Sequence, residues 1–321
     1  MSILDLPLSA PHILSARIFA ILLFFFSMTS ASSIADTECG RTREGFVNNS
    51  GVNTHYRATG SGPLLLLVHG FPDNSDTFSH QVPELAKQYT VVTPSLRGFP
   101  PSDVPDNDDA YQLSNVVGDL VALIKHFCAS KVIIGGHDIG GAAVQLLALS
   151  QPQLVSGLIL MNAPILPRLA YLVNFDAEQQ KASEYTIHFM QCKVGDDKQV
   201  ADKTKYIRNP ARRKEIEDYL TASPINGMMA YYKENYPAPP YGQTSPLQNI
   251  TLPFPSLILW GLEDEYFIPK FLDGIPKVFL NNTRLVTFPK TGHWAFRDEP
   301  EKATREIVSW LDELNHVVTV E

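Results

Sequence analysis

The stretch Gly135-Gly136-His137-Asp138-Ile139-Gly140-Gly141 limits the fold of this chain more than any other. It follows the apolar run Lys131-Val132-Ile133-Ile134, of strand length, and precedes residues 142–149, whose composition suits a helix. A strand that turns at once into a helix needs small residues at the corner, and the glycines at 136, 140 and 141 supply them. Such a turn pushes its central side chain out of the sheet, beside the N–H groups that open the helix. That side chain is Asp138. A carboxylate held there can attack carbon directly and form an ester.

The rest of the chain repeats the alternation. Residues 44–57 read as a hairpin, and 64–68, 90–94, 131–134, 157–161, 255–260 and 283–288 as strands. Helical apolar spacing runs over 113–127 and over 301–314, where Ile307, Trp310 and Leu311 share a face. Strands alternating with helices predict an α/β fold, a mostly parallel sheet with helices on both faces. Residues 164–250 break the pattern. They hold no strand-like apolar run and close on the breaker-rich Tyr236-Pro237-Ala238-Pro239-Pro240-Tyr241-Gly242, so they read as a helical cap inserted between two strands. The core is then 36–163 plus 251–321. At 321 residues and 44% hydrophobic, one domain with an insertion accounts for the length. The net charge of −8, with no basic tract, argues against a nucleic-acid partner.

Residues 1–35 stand apart. Arg17 precedes the apolar 18–26, and small residues follow through Ser33-Ile34-Ala35, the pattern of a secretory signal peptide; an uncleaved N-terminal anchor is the alternative, with 18–29 as the membrane-associating segment. Either places the rest of the chain in the secretory pathway, in the lumen or outside the cell. Asn48-Asn49-Ser50, Asn249-Ile250-Thr251 and Asn281-Asn282-Thr283 are glycosylation triplets that fit such a route. The three cysteines show no C-x-x-C spacing, so no zinc site or disulfide framework is indicated. Cys128 falls in an apolar helix and reads as a core residue. Cys39 and Cys192, bridged or left as thiols, stay open alternatives.

Reactive groups in a parallel sheet collect where strands end. Here the loops at those ends carry Asp138, then Asp264, then His293. Nucleophile, acid and histidine in that order, with His69-Gly70-Phe71-Pro72, Trp260-Gly261-x-x-Asp264 and Gly292-His293-Trp294, resemble the α/β-hydrolase superfamily, and within it the epoxide hydrolase family. The resemblance covers about 50–315. It implies Asp138 as nucleophile, His293 as general base and Asp264 as triad acid, with the backbone N–H groups of Phe71 and Ile139 as oxyanion hole. Phe71, Pro72, Ile139 and Trp294 would line the substrate pocket. His69, His137 and Asp73 read as supporting residues.

The resemblance extends into the cap. Glu184-Tyr185-Thr186-Ile187-His188-Phe189 and Met229-Ala230-Tyr231-Tyr232-Lys233 resemble the two cap motifs whose tyrosines donate to the epoxide oxygen, which implies Tyr185 and Tyr232 for that role; Tyr231 is then structural and His188 a weaker substitute. Ring opening makes an alkoxide, and a phenol pair can supply its proton. The implied substrates are a small apolar epoxide and water, with no metal and no cofactor. A haloalkane dehalogenase of the same fold is the alternative. It needs side-chain N–H donors for the halide, and the side chains of Ile139 and Phe71 have none to offer. A non-catalytic homologue that binds a small ligand is the reading from a different class. Asp138, Asp264 and His293 together argue against it.

Overall fold

The computed structural model describes residues 43–192 and 200–318. The first part of the chain runs β1 (Glu44–Asn49), β2 (Val52–Thr59), β3 (Leu64–Val68), α1 (Val82–Leu85), β4 (Thr90–Pro94), α2 (Leu113–His126), β5 (Val132–His137), α3 (Ile139–Ser150) and β6 (Val155–Met161). Helices alone follow among the described residues: α4 (Leu166–Phe175), α5 (Ala177–Ala182), α6 (Glu184–Gln191), α7 (Val200–Thr204), α8 (Pro210–Ala222) and α9 (Asn226–Asn235). The sheet then resumes with β7 (Ser256–Gly261), α10 (Ile275–Val278), β8 (Thr283–Phe288), α11 (Ala295–Asp298) and α12 (Pro300–Val318).

The strands form one 8-stranded sheet in the order β1-β2-β4-β3-β5-β6-β7-β8. The hairpin β1–β2 is antiparallel and packs antiparallel on β4; every other pairing is parallel. The hairpin turns on Ser50 and Gly51, both at positive φ, the geometry whose twist matches that of its strands. β3, β5 and β7 are buried at every residue, which is why they read as unbroken apolar runs rather than alternating ones. Deleting one such side chain, as in Leu66→Ala, costs about 2–5 kcal/mol by lost transfer energy and the cavity left behind.

The parallel register keeps the strand ends level: Val68 lies beside Gly136, His137 beside Met161, Met161 beside Leu259 and Gly261 beside Phe288. The loops leaving β3, β5, β6, β7 and β8 therefore open at one edge. α4 to α9 leave the sheet after β6 and return before β7, so they stand over that edge.

One expectation fails here. Cys128 is not a core residue of α2; it lies beyond the helix end, exposed, at φ 52°, and is disulfide-bonded. The helix stops at His126, so its apolar pattern does not carry Cys128 inward. With three cysteines in the chain, a bridge at Cys128 rules out the Cys39–Cys192 pair. Cys39 itself, the segment 1–35 and the apolar 18–29 lie outside the described residues. Among those described, no helix is long and apolar enough to cross a membrane.

Cys128→Ser should lower unfolding stability by about 2–4 kcal/mol in urea titrations, because a cross-link restricts the unfolded chain. The same loss should follow reduction of the wild-type protein. In the native protein Cys128 should resist alkylation until a reductant is added.

Candidate active site

Asp138 sits at the corner between β5 and α3 with φ 52° and ψ −125°, a backbone conformation that a non-glycine residue holds only under constraint. The corner is tight because Gly140 rides against the carbonyls of Val68 and His69, where a Cβ would come within 2.3 Å of either oxygen. Although it stands at the helix N-cap, the Asp138 side chain does not cap the helix. Its Oδ1 accepts the Phe71 N–H at 3.0 Å instead. Gly70 allows that approach, since a Cβ there would sit 2.4 Å from the Asp138 Cβ.

Burial raises the Asp138 carboxyl above its usual range. His293 and the N–H groups of Ile139 and Phe71 oppose the shift without cancelling it. His293, in the loop after β8, points Nε2 at Asp138 Oδ2 from 3.7 Å and hydrogen-bonds Asp264 Oδ2 through Nδ1 at 2.9 Å. Burial alone would lower the imidazole; the charges of Asp264 and Asp138 outweigh it, and His293 stands above its ordinary value. Asp264, after β7, is fixed on its other side by the N–H groups of Tyr266 (2.8 Å) and Phe267 (3.0 Å), both to Oδ1.

Asn162, just past the end of β6, is a residue of the site that sequence reasoning passed over. It takes a left-handed φ of 37° and donates from Nδ2 to Asp264 Oδ2 at 2.7 Å, while its Oδ1 accepts the Gly261 N–H at 3.0 Å. The oxygen that faces His293 is thus held by a second donor. A positive φ on an asparagine after an apolar strand is the one local signal, and it is invisible without the backbone.

The cap closes over this edge with aromatic rings. Tyr232 on α9 and Tyr185 on α6 lie edge to face at 6.0 Å between ring centres; Phe189 packs on both at 5.0 and 5.2 Å, and Tyr232 reaches Phe71 at 6.0 Å. Burial pushes both phenols well above their usual range, and each also feels the Asp138 charge, so both stay protonated across the physiological range and within electrostatic reach of Asp138. Tyr266 joins them, its ring 5.0 Å from Tyr185 and 4.9 Å from His293. Neither Phe189 nor Tyr266 was singled out by sequence.

The other expected residues fall as follows. Pro72 is buried, Ile139 half-buried beside Asp138, and Trp294 packs on His293 at 4.8 Å and on His137 at 6.0 Å. Tyr231 turns away from the site and donates to the Arg97 carbonyl at 2.9 Å. His188 is exposed and takes no part. His69 is held by the Leu96 N–H on Nε2 (3.0 Å) and by the Gly70 carbonyl on Nδ1 (2.9 Å); burial lowers it to about 4, so it stays neutral and fixes the loop. His137 is fully buried, lowered well below its usual value by burial and by His293. Asp73 is buried in an ion cluster with Arg212 and Arg297. Among the described residues, no group of three or more His, Cys, Asp or Glu side chains is placed to hold a metal ion.

Epoxide hydrolase 4 of Mus musculus is 28% identical over 291 residues, covering 83% of this chain and 78% of the relative. An AB hydrolase superfamily protein of Bacillus subtilis is 27% identical over 279 residues, covering 83% of this chain and 96% of its own length. An epoxide hydrolase of Bacillus megaterium, solved with an inhibitor, superposes with a TM-score of 0.74 at 25% identity, over 84% of this chain and all (100%) of the other. Residues 63–300 match the family defined by the α/β-hydrolase fold, and the chain belongs to it, with epoxide hydrolases among its homologues.

Proposed function

We propose that this protein hydrolyses a small apolar epoxide to a vicinal diol through an alkyl ester on Asp138. One observation carries the reading: a buried carboxylate stands between a histidine–aspartate pair and two neutral phenols that both feel its charge.

In the first step Asp138 Oδ2 attacks an epoxide carbon, the C–O bond breaks, and the ring oxygen takes a proton from Tyr185 or Tyr232. Oδ1 already holds the Phe71 N–H, which leaves Oδ2 as the attacking atom. In the second step His293 Nε2 takes a proton from water, and the hydroxide adds to the ester carbon. Negative charge collects on Oδ1, against the N–H groups of Phe71 and Ile139. Collapse expels the diol oxygen, which takes up the Asp138 carboxyl proton, and the imidazolium returns its own proton to the tyrosine pair. Asp264 keeps the Nδ1 proton on the far side of the ring and steadies the imidazolium. Ile139 and Phe71 offer no side-chain donor to a departing halide, which sets the dehalogenase reading behind.

The same reading extends to the compartment. A disulfide at Cys128 suits an oxidising lumen, and Asn48, Asn249 and Asn281 are all exposed, as acceptors of N-linked glycans must be.

Single turnover in oxygen-18 water should carry label into Asp138; label confined to the diol would exclude the covalent ester. Asp138→Asn should abolish turnover, and His293→Gln should leave the ester trapped on the protein. Tyr232→Phe should slow ring opening by about 10²-fold, read as the rate of ester formation. Because His293 must be neutral to act and Asp264 favours its charged form, ester hydrolysis should fail as pH falls and His293 protonates, with ester building up. Asn162→Ala strips a donor from the Asp264 oxygen that faces His293, so it should move this acid limb to higher pH; an unmoved limb would show that Asn162 only fills space. Protein secreted from a eukaryotic host should lose mass on treatment with peptide N-glycosidase. Retention in the cytosol without glycan would refute the secretory assignment.

A further inference from the structure

The ion cluster at Asp73 joins the cap to the loop that carries Phe71. Asp73 follows Phe71-Pro72 directly, and its N–H donates to the Gly70 carbonyl at 3.0 Å, closing a turn around Phe71. Its side chain is wholly inaccessible. One carboxylate oxygen accepts Thr77 Oγ1 and Arg297 Nη1, both at 2.7 Å; the other accepts Arg212 Nη2 and the Asn74 N–H, the latter at 3.2 Å. Thr77 and Arg297 belong to the core, on the 3-10 turn after Asp73 and on α11. Arg212 belongs to the first turn of α8, where Asn209 caps its N–H at 3.1 Å. Its Nη2 also reaches Asn74 Oδ1 at 3.1 Å, so one guanidinium grips two consecutive residues of the loop. α8 has a second hold on the core, from Tyr219 OH to the Pro100 carbonyl at 2.9 Å, but that contact makes no hydrogen bond to Asp73 or Asn74.

A buried carboxylate must be answered by positive charge. Arg297 does so from within the core, and with burial outweighed by Arg297 and Arg212 together, Asp73 is held well below the usual carboxylate range. Arg212 is therefore the member of the cluster that depends on the cap being seated. We infer that Arg212 is a positioning residue: by docking on Asp73 and Asn74 it sets the Phe71 N–H against Asp138, so that seating the cap completes the oxyanion hole. This rests on the proposed ester mechanism. A donor aimed at developing charge loses effect steeply when displaced. The step that suffers is hydrolysis of the ester, in which charge gathers on Oδ1; ring opening draws on the cap phenols instead.

The test reads ester occupancy on the intact protein by mass spectrometry, after acid quench during turnover with excess epoxide. Arg212→Met should slow hydrolysis by about 10-fold while leaving the rate of ester formation within a small factor, so that ester accumulates above the wild-type level. Arg212→Gln, which keeps a donor without the charge, should fall between the two and serves if the methionine variant does not fold, as judged by circular dichroism. Wild-type occupancy in a folded variant, or equal slowing of both steps, overturns the positioning role while leaving the ester mechanism standing. If His293→Gln carries no ester with any of a broad epoxide panel, the mechanism falls and this role falls with it.

Discussion

A carboxylate sealed inside protein persists only where its surroundings answer its charge, and Asp138 imposes that demand on its neighbours. Its burial is severe enough to raise its pKa despite two backbone donors and a histidine. Each answering group comes from a different strand end: Phe71 after β3, Ile139 after β5, His293 after β8. The level register of the parallel strands is what makes them meet. The strain at Asp138, with φ at 52°, is held by glycines packed too closely for any larger residue.

The cap adds what the sheet edge lacks. The core supplies an acid–base pair and backbone donors, but among the groups that feel the Asp138 charge the phenols of Tyr185 and Tyr232 come from cap helices. Their raised pKa values follow first from burial and then from neighbouring phenols, Tyr236 and Tyr266 among them, and the Asp138 charge, and this keeps them protonated. The Asp138 carboxylate thus comes from a strand end and the phenols from helices.

Much of this was legible in the sequence because it is local. Buried parallel strands announce themselves as apolar runs, the corner at Asp138 by its glycines, and the order Asp138, Asp264, His293 by simple chain position. What was not legible depends on contacts between distant segments. Asn162 is one strand away from Asp264 in space but 102 residues away in sequence, and Arg212 is 139 residues from Asp73. Tyr266 sits two residues from Asp264, yet only the fold turns its ring onto His293. Cys128 misled for a related reason: an apolar helix predicts burial along its length and says nothing of the residue just past its end, where the backbone reverses.

β6 and β7 are paired neighbours, although six described helices separate them in the chain. Those helices leave and re-enter the sheet through one gap between adjoining strands. Lengthening or rebuilding them changes the closure entropy of a single loop, a slowly growing quantity, and leaves the register of the sheet untouched. The residues at the strand ends and the helices inserted between β6 and β7 can therefore be changed separately.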